Sequence, residues 1–416
     1  MTQNLDPHVA GTRPSDTSRQ SACPACGSAR PRDVIYRVDH IPIQSCVLLT
    51  SRDEAVNYPR RDLELVCCRD CGFICNHIFD QSIVEYATVT EESQHFSGTF
   101  NGFAKRLARE IADRVPLDHK HILEIGCGKG DFLIELCKLA NCTGLGIDPG
   151  FSHVRLDATD FNKDYDTARI KFIADYYGPA YMHLAADLIM CRHTLEHIGP
   201  VAQFVRDIRA GIAHKFDTKV FFETPSADRV LTEGAFWDIY YEHCSYFTPG
   251  THAELFMREG YDVDEVRLDY DDQYIIQYAR PHSSDRPKAC ESKATAASIS
   301  ALVETFGPRV TETQERWGNL IREWHARGKR VTAWGGGSKC VSFLTTLKLD
   351  REIAGVVDIN PFKQGKFLPG TGHQVIAPKD LKAVSPDVVI IMNPIYVQEI
   401  SEFLRDIDLA PTIIAV

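Results

Sequence analysis

Apolar residues in this chain come in short runs separated by turn-forming polar stretches. Residues 122–125 read as a buried strand that ends in glycines, and 131–139 follow as a helix. The alternation then continues. Strands are predicted over 171–174, 186–191 and 220–225, a helix over 251–259, and two more strand-like runs over 263–268 and 273–279. Trp317, Leu320, Ile321 and Trp324 recur at helical spacing within 310–327 and predict a packing face. A strand from Arg330 then runs into Gly335, Gly336 and Gly337. Further strands at 353–357 and 388–392 make this a second α/β unit, so the chain repeats a folding unit without repeating its sequence. Near the N-terminus, Leu63, Glu64, Leu65 and Val66 predict a strand leading into a cysteine pair, and the helix before the first glycine turn is predicted over 102–115.

The first glycine turn carries the most chemistry. Glu124, Gly126, Gly128 and Gly130 form Glu-x-Gly-x-Gly-x-Gly, and the next strand ends in Asp148. Glycines admit a ligand close to the backbone, and an acidic residue at the end of the following strand suits ribose hydroxyls. The pattern resembles motif I of class I S-adenosylmethionine (SAM) methyltransferases more than the GxGxxG of nicotinamide enzymes. Asp175, after the next strand, is placed for the adenine amine.

At 416 residues the chain is too long for one ordinary core and predicts two or three domains. A net charge of -11 argues against a polyanion-binding surface spread over the chain, and so against nucleic acid as a partner. No apolar run is long enough for a bilayer and the first twenty residues hold no signal core, so no membrane partner and a cytoplasmic location are expected.

The 14 cysteines are not spread as a disulfide framework. Cys23-x-x-Cys26-Gly27 and Cys68-x-x-Cys71-Gly72 are two knuckles that together complete a tetrahedral four-thiolate zinc site. Cys68 is preferred over its neighbours Cys67 and Cys75 because it alone forms a CxxC-Gly pair with Cys71. Four thiolates leave no open position, which makes the zinc structural: a module of this size buries little core and needs a staple.

Two polar clusters fall where an α/β sheet places its chemistry. One is His193, Glu196 and His197; the other runs from Tyr240 through Glu242 and His243 to Tyr246. Histidine suits proton transfer and tyrosine suits an oxyanion, although residue types alone also fit surface or packed histidines. A second metal there lacks a ligand spacing. In the C-terminal unit, amides behind Gly335 to Ser338 suit phosphate, with Lys339 and Lys363 adding charge and Asn360 and Gln364 in a polar loop. An NAD reading of this unit is disfavoured, because three consecutive glycines do not keep GxGxxG.

Taken in order, these motifs resemble the three-domain nucleotide-sugar C-methyltransferases of deoxysugar pathways. The resemblance rests on the paired knuckles, the 124–130 turn, Arg192-His193-x-Leu195-Glu196-His197, Tyr240-x-Glu242-His243, and Asp358-x-Asn360-Pro361-x-Lys363-Gln364-Gly365 with Pro369-Gly370-Thr371. It implies an α/β chain: a class I SAM methyltransferase Rossmann-like domain (86–285) between a zinc-binding module (21–85) and a C-terminal Rossmann-like domain (286–416), after a disordered arm (1–20).

The resemblance also implies a nucleoside diphosphate keto-deoxysugar as substrate, methylated on carbon through an enolate. His243 matches the family's base, with Glu242 to orient it and Tyr240 to steady the enolate oxygen; His197 matches a further active-site histidine, as base or donor. SAM contacts carry over to Glu124, Gly126, Gly128, Gly130, Asp148 and Asp175. Ser338, Lys339, Asn360, Lys363 and Gln364 would hold the nucleotide half of the substrate. One departure stands out: the family's second active-site tyrosine aligns near Thr90, with Tyr86 as the nearby substitute. A SAM enzyme acting on a non-sugar acceptor, or a binding protein without catalysis, are the alternatives.

Overall fold

The computed structural model describes residues 22–86, 90–159, 162, 164–283 and 292–416; the expected arm at 1–20 and the domain boundary at 286 lie outside them. The strands, in chain order, are β1 (Asp33–Pro42), β2 (Arg60–Cys67) and β3 (Ile74–Asn76) in the N-terminal module. Next come β4 (His121–Ile125), β5 (Thr143–Ile147), β6 (Ile170–Ile173), β7 (Leu188–Arg192) and β8 (Lys219–Pro225), then β9 (Ser245–Tyr246), β10 (Tyr261–Asp269) and β11 (Tyr274–Pro281). The last five are β12 (Val331–Trp334), β13 (Ile353–Val357), β14 (Val375–Ile376), β15 (Val388–Ile391) and β16 (Thr412–Ala415).

The central sheet has the order β10-β11-β8-β7-β4-β5-β6, parallel from β8 to β6, with β11 and β10 added antiparallel. Its parallel strands are near-continuous apolar runs because both faces are covered: β7 is buried at all five positions. Chain order reverses between β4 and β7. A crevice therefore opens at their carboxyl ends, where 126–130 and 193–197 emerge. The C-terminal sheet, β14-β13-β12-β15-β16, is all parallel and reverses between β12 and β15. Gly335 to Ser338 and Asn393 to Tyr396 emerge at that second reversal, so both sheets turn their switch points toward one shared cavity.

The zinc-type module is less separate than its sequence range suggests. Its antiparallel sheet has the order β1-β2-β3-β9, and β9 comes from the loop that carries Glu242 and His243. The helix expected at 310–327 spans Ser292–Ala326 and passes through Pro308. A proline inside a helix normally breaks it. Here Ile299, Phe306, Val310, Trp317 and Ile321 bury one continuous face across the interruption, and that burial outweighs the lost bond. The helix expected at 102–115 starts earlier, at Gly98, because the Ser97 hydroxyl accepts from Phe100 N and caps it.

Candidate active site

The turn after β4 is shaped by its neighbours. At Gly126 (φ +68°) a Cβ would lie 1.8 Å from Thr194 Oγ1, and at Gly130 (φ +83°) one would lie 2.6 Å from the Phe172 ring. Only glycine fits at either position. Gly128 differs: its Cβ position meets nothing nearer than Glu92 Oε1 at 3.6 Å, so its backbone is open to the cavity. Asp148 accepts from Gly128 N (2.9 Å) and Gly150 N (2.7 Å), and burial with the Glu92 charge raises it to about 6. Glu124 is buried with Oε2 unpartnered, and burial pushes its carboxyl up to about 8 against the pull of Arg192. An orphaned carboxylate beside an open glycine turn is a receptor for a cationic group.

The cavity, about 870 Å³, is lined by Glu124, Gly126, Gly128 and Asp148. Gly130 is set back from it, serving as the N-cap of the helix Asp131–Cys137. Asp175 also departs from expectation. It is exposed, and its carboxylate is taken by Tyr181 Oη (2.6 Å) and Tyr176 N (2.7 Å), so it does not line the cavity. Tyr176 and Tyr177 line that edge instead.

The histidines separate into different roles. His193 (φ +47°) has Nε2 2.9 Å from Glu223 Oε1, whose other oxygen accepts from Arg192 Nε at 2.6 Å. Burial opposes both charges, yet Glu223 and Glu196 lift His193 to about 9, and Arg192 with His193 hold Glu223 down at about 2. His193 is thus a locked imidazolium and not a base. His197 Nδ1 lies 3.0 Å from the Glu242 carbonyl oxygen, which can only accept, so Nδ1 carries a proton and the neutral tautomer has its lone pair on Nε2. The Tyr86 hydroxyl lies 2.9 Å from the same nitrogen and gives its proton to the same carbonyl at 3.5 Å.

His243 stands perpendicular to His197 with ring centroids 4.7 Å apart, and 4.6 Å from Tyr240. Burial and the neighbouring His197, His193 and Lys339 push its pKa well below the ordinary imidazole value, so it is neutral. The Glu242 carboxylate does not face it. Glu242 Oε1 accepts from Ser45 N (2.8 Å) and from the Ser45 hydroxyl, so its side chain ties the loop to the N-terminal module. Tyr240 Oη donates to Asp238 Oδ1 at 2.9 Å. Donor atoms of Glu196, His197 and His243 lie within 4.8 Å of one another.

Across the cavity, Lys363 is largely buried, 3.7 Å from Asp358 Oδ2, with its ammonium 3.5 Å from the Cβ position of Gly337. Burial works against its charge, but Asp358 together with Cys46, Glu91 and Glu92 raises its pKa. Asn360 Nδ2 donates to Glu91 Oε1 and the Ser93 carbonyl oxygen. Ser338 Oγ bonds to Ser45 (2.7 Å), and Lys339 Nζ to Asp238 Oδ2 (2.6 Å). Gln364 is outside the cavity lining, its amide spent on the Asp358 and Ile359 carbonyls.

Sequence reading missed the tie between segments. Glu91 pairs with Arg155 (2.6 Å) and binds Asn360, while Gln94 donates to Tyr274 Oη and accepts from Tyr396 Oη. The polar, aromatic-dotted character of this stretch was its one signal. Thr90 and Tyr86 both line the cavity.

Residues 100–266 match the methyltransferase domain model and 281–411 the C-methyltransferase C-terminal domain model. C-methyltransferase NovU from Streptomyces niveus is 26% identical over 377 residues, covering 86% of this chain and 87% of that protein. This chain is a methyltransferase that carries a C-methyltransferase C-terminal domain. Solved structures that align with it include an S-adenosylmethionine dependent methyltransferase from Mesorhizobium loti (TM-score 0.34, 16% identity, 43% of this chain and 99% of that one). Another is a 1,6-didemethyltoxoflavin-N1-methyltransferase from Burkholderia thailandensis (TM-score 0.33, 15% identity, 43% of this chain and 79% of that one).

The methyltransferase also brings its four knuckle cysteines together. Cys23 Sγ is 3.8 Å from Cys71 Sγ, and Cys26 Sγ is 3.8 Å from Cys68 Sγ. Bonds of roughly 2.3 Å to a tetrahedral zinc require a sulfur–sulfur edge of about 3.8 Å, so the donor set fits the ion. No helix among the described residues is long and apolar enough to cross a membrane.

Proposed function

We propose that this SAM-dependent C-methyltransferase acts on a nucleoside diphosphate-linked keto-deoxysugar, at the carbon next to the ketone. The observation that carries the reading is the single cavity. Its lining takes in the glycine turn with Asp148, the two histidines His197 and His243, and Lys363 with Gly335 and Gly337. A buried ammonium beside a glycine turn suits a diphosphate.

SAM supplies an electrophilic methyl on a sulfonium. Glu124, Gly126, Gly128 and Asp148 would hold it, the Glu124 carboxylate facing its cationic part. His243, neutral and with no hydrogen bond among the described residues, takes the proton from the carbon next to the ketone. The C–H electrons move into the enolate, whose carbon pair would take up the electrophilic methyl that bound SAM would supply, the S–C bonding pair staying on sulfur. The ketone is restored and the proton passes from His243 to solvent. His197, whose neutral tautomer carries its lone pair on Nε2, stands beside His243 to relay that proton. The four-thiolate site holds a structural zinc. It leaves no position for substrate and takes no part in the chemistry.

Incubation with SAM and a panel of dTDP-, CDP- and GDP-linked 4-ketosugars tests the reading. A new carbon-bound methyl in the product NMR spectrum is expected. Methyl on oxygen or nitrogen, or transfer only to acceptors lacking a nucleotide, overturns it.

A further inference from the structure

Lys339 and Asp238 come from different domains and meet at the wall of the cavity. Lys339 is the second residue of the helix Ser338–Leu347, and Asp238 closes the turn Phe236–Asp238. Their contact, Nζ to Oδ2, is 2.6 Å. The other carboxylate oxygen, Oδ1, accepts from Tyr240 Oη at 2.9 Å. The same helix fastens the turn at two more points: Ser342 Oγ donates to the Phe236 carbonyl (3.0 Å) and the Ile239 carbonyl (2.8 Å). Tyr240 is gripped from behind, its N donating to Tyr246 Oη (3.2 Å).

A phenol has one proton to give. In Tyr240 it goes to Asp238, so the oxygen offers only lone pairs to the cavity. This runs against the sequence expectation that Tyr240 donates to the enolate oxygen. Lys339, expected as a phosphate ligand, is ion-paired with Asp238, which balances its charge at the cavity wall. Burial and the Asp238 charge hold the Tyr240 pKa well above its ordinary value, so the phenol stays protonated throughout the working range.

We propose that Lys339 and Asp238 are positioning residues: the C-terminal domain, through this pair, fixes Tyr240 as a hydrogen-bond acceptor toward the cavity, matched to a hydroxyl or N–H on the acceptor molecule beside the reacting carbon. The kinetic half of this rests on the keto-sugar reading; the geometry does not. Lys339 neutralises Asp238 so that the carboxylate keeps one oxygen for Tyr240. Without the ammonium, the carboxylate turns toward water and releases the phenol.

The test uses the full-length protein labelled with 3-fluorotyrosine, the Tyr240 resonance being the one absent from Tyr240→Phe. Lys339→Met and Asp238→Asn should each shift that 19F signal in the absence of any acceptor, while Lys339→Arg leaves it in place. In turnover with the keto-sugar accepted by the wild type, Lys339→Met should lower kcat about tenfold or more with the acceptor KM within about threefold, and Lys339→Arg should restore most of it. Lys339→Met with Asp238→Asn should be no worse than either alone. An unmoved 19F signal overturns the proposal, as does a variant whose KM for the nucleotide-linked acceptor rises with kcat unchanged. The 19F readout needs no substrate, so it stands or falls apart from the choice of acceptor.

Discussion

Cys75 pairs with Ser245 across an antiparallel ladder, and Ile74 with Tyr246 beside it. Asn76 N also donates to the Cys244 carbonyl at 3.0 Å. β3, which begins three residues after Cys71, therefore carries the main chain that immediately follows His243. Zinc on the four thiolates, which would tie the turn between β2 and β3 to the Cys23–Cys26 knuckle, would therefore also fix the loop on which the proposed base sits.

Cys71→Ser should for that reason cost turnover as well as stability. Structural zinc contributes on the order of 10 kcal/mol to the folding of its module, so losing one thiolate should drop zinc content below one per chain and lower Tm by on the order of 10 °C. The folded fraction should be nearly inactive while SAM binding to the central domain persists. Metal analysis and calorimetry beside an activity assay check this; a zinc-free variant with wild-type turnover contradicts the coupling.

Much of this was legible locally. The glycine turn, the alternating strands and the two CxxC-Gly knuckles are short-range patterns, and each landed where its spacing put it. What sequence could not show depends on residues far apart in the chain. Ser45 reaches Glu242 across 197 positions, and Lys339 reaches Asp238 across 101. The first redirects a carboxylate expected to orient His243, the second an ammonium expected to meet substrate. Asp175 failed for a local reason: Tyr181, six residues on, captures its carboxylate. Helix extent failed at Pro308, where buried aromatic area overrode backbone propensity.

His243→Ala should keep SAM affinity within about twofold, since His243 does not touch the glycine turn, and lose about a hundredfold or more in kcat, the range for general-base removal. Isothermal titration and single-turnover transfer separate the two effects. Unchanged transfer removes His243 from the mechanism and leaves His197, whose Nε2 lone pair is set by the Glu242 carbonyl.

SAM binding should release a proton. Glu124 is held up to about 8 by burial, so at pH 7 it is mostly protonated, and a cationic ligand against it requires the ionised form. Affinity should rise with pH up to about 8 and flatten above it, with close to one proton released at pH 7 by calorimetry in buffers of different ionisation heat. Glu124→Gln should abolish the release. Proton-neutral binding by the wild type would show that Glu124 does not meet the cation.

The His193–Glu223 pair should set a stability window. His193 is raised from 6.5 to about 9 in the fold, so its contribution is complete below pH 6.5 and is lost as pH rises through about 9. Glu223 is depressed from 4.5 to about 2, so its contribution is complete above pH 4.5 and is lost as pH falls toward about 2. The pair therefore stabilises most between about pH 4.5 and 6.5. Urea unfolding of the wild type and His193→Gln across pH 5 to 9.5 should show the largest gap near pH 5.5, closing on the alkaline side. A gap that widened with pH would mean that His193 is neutral in the fold, and that its left-handed backbone is held by packing alone.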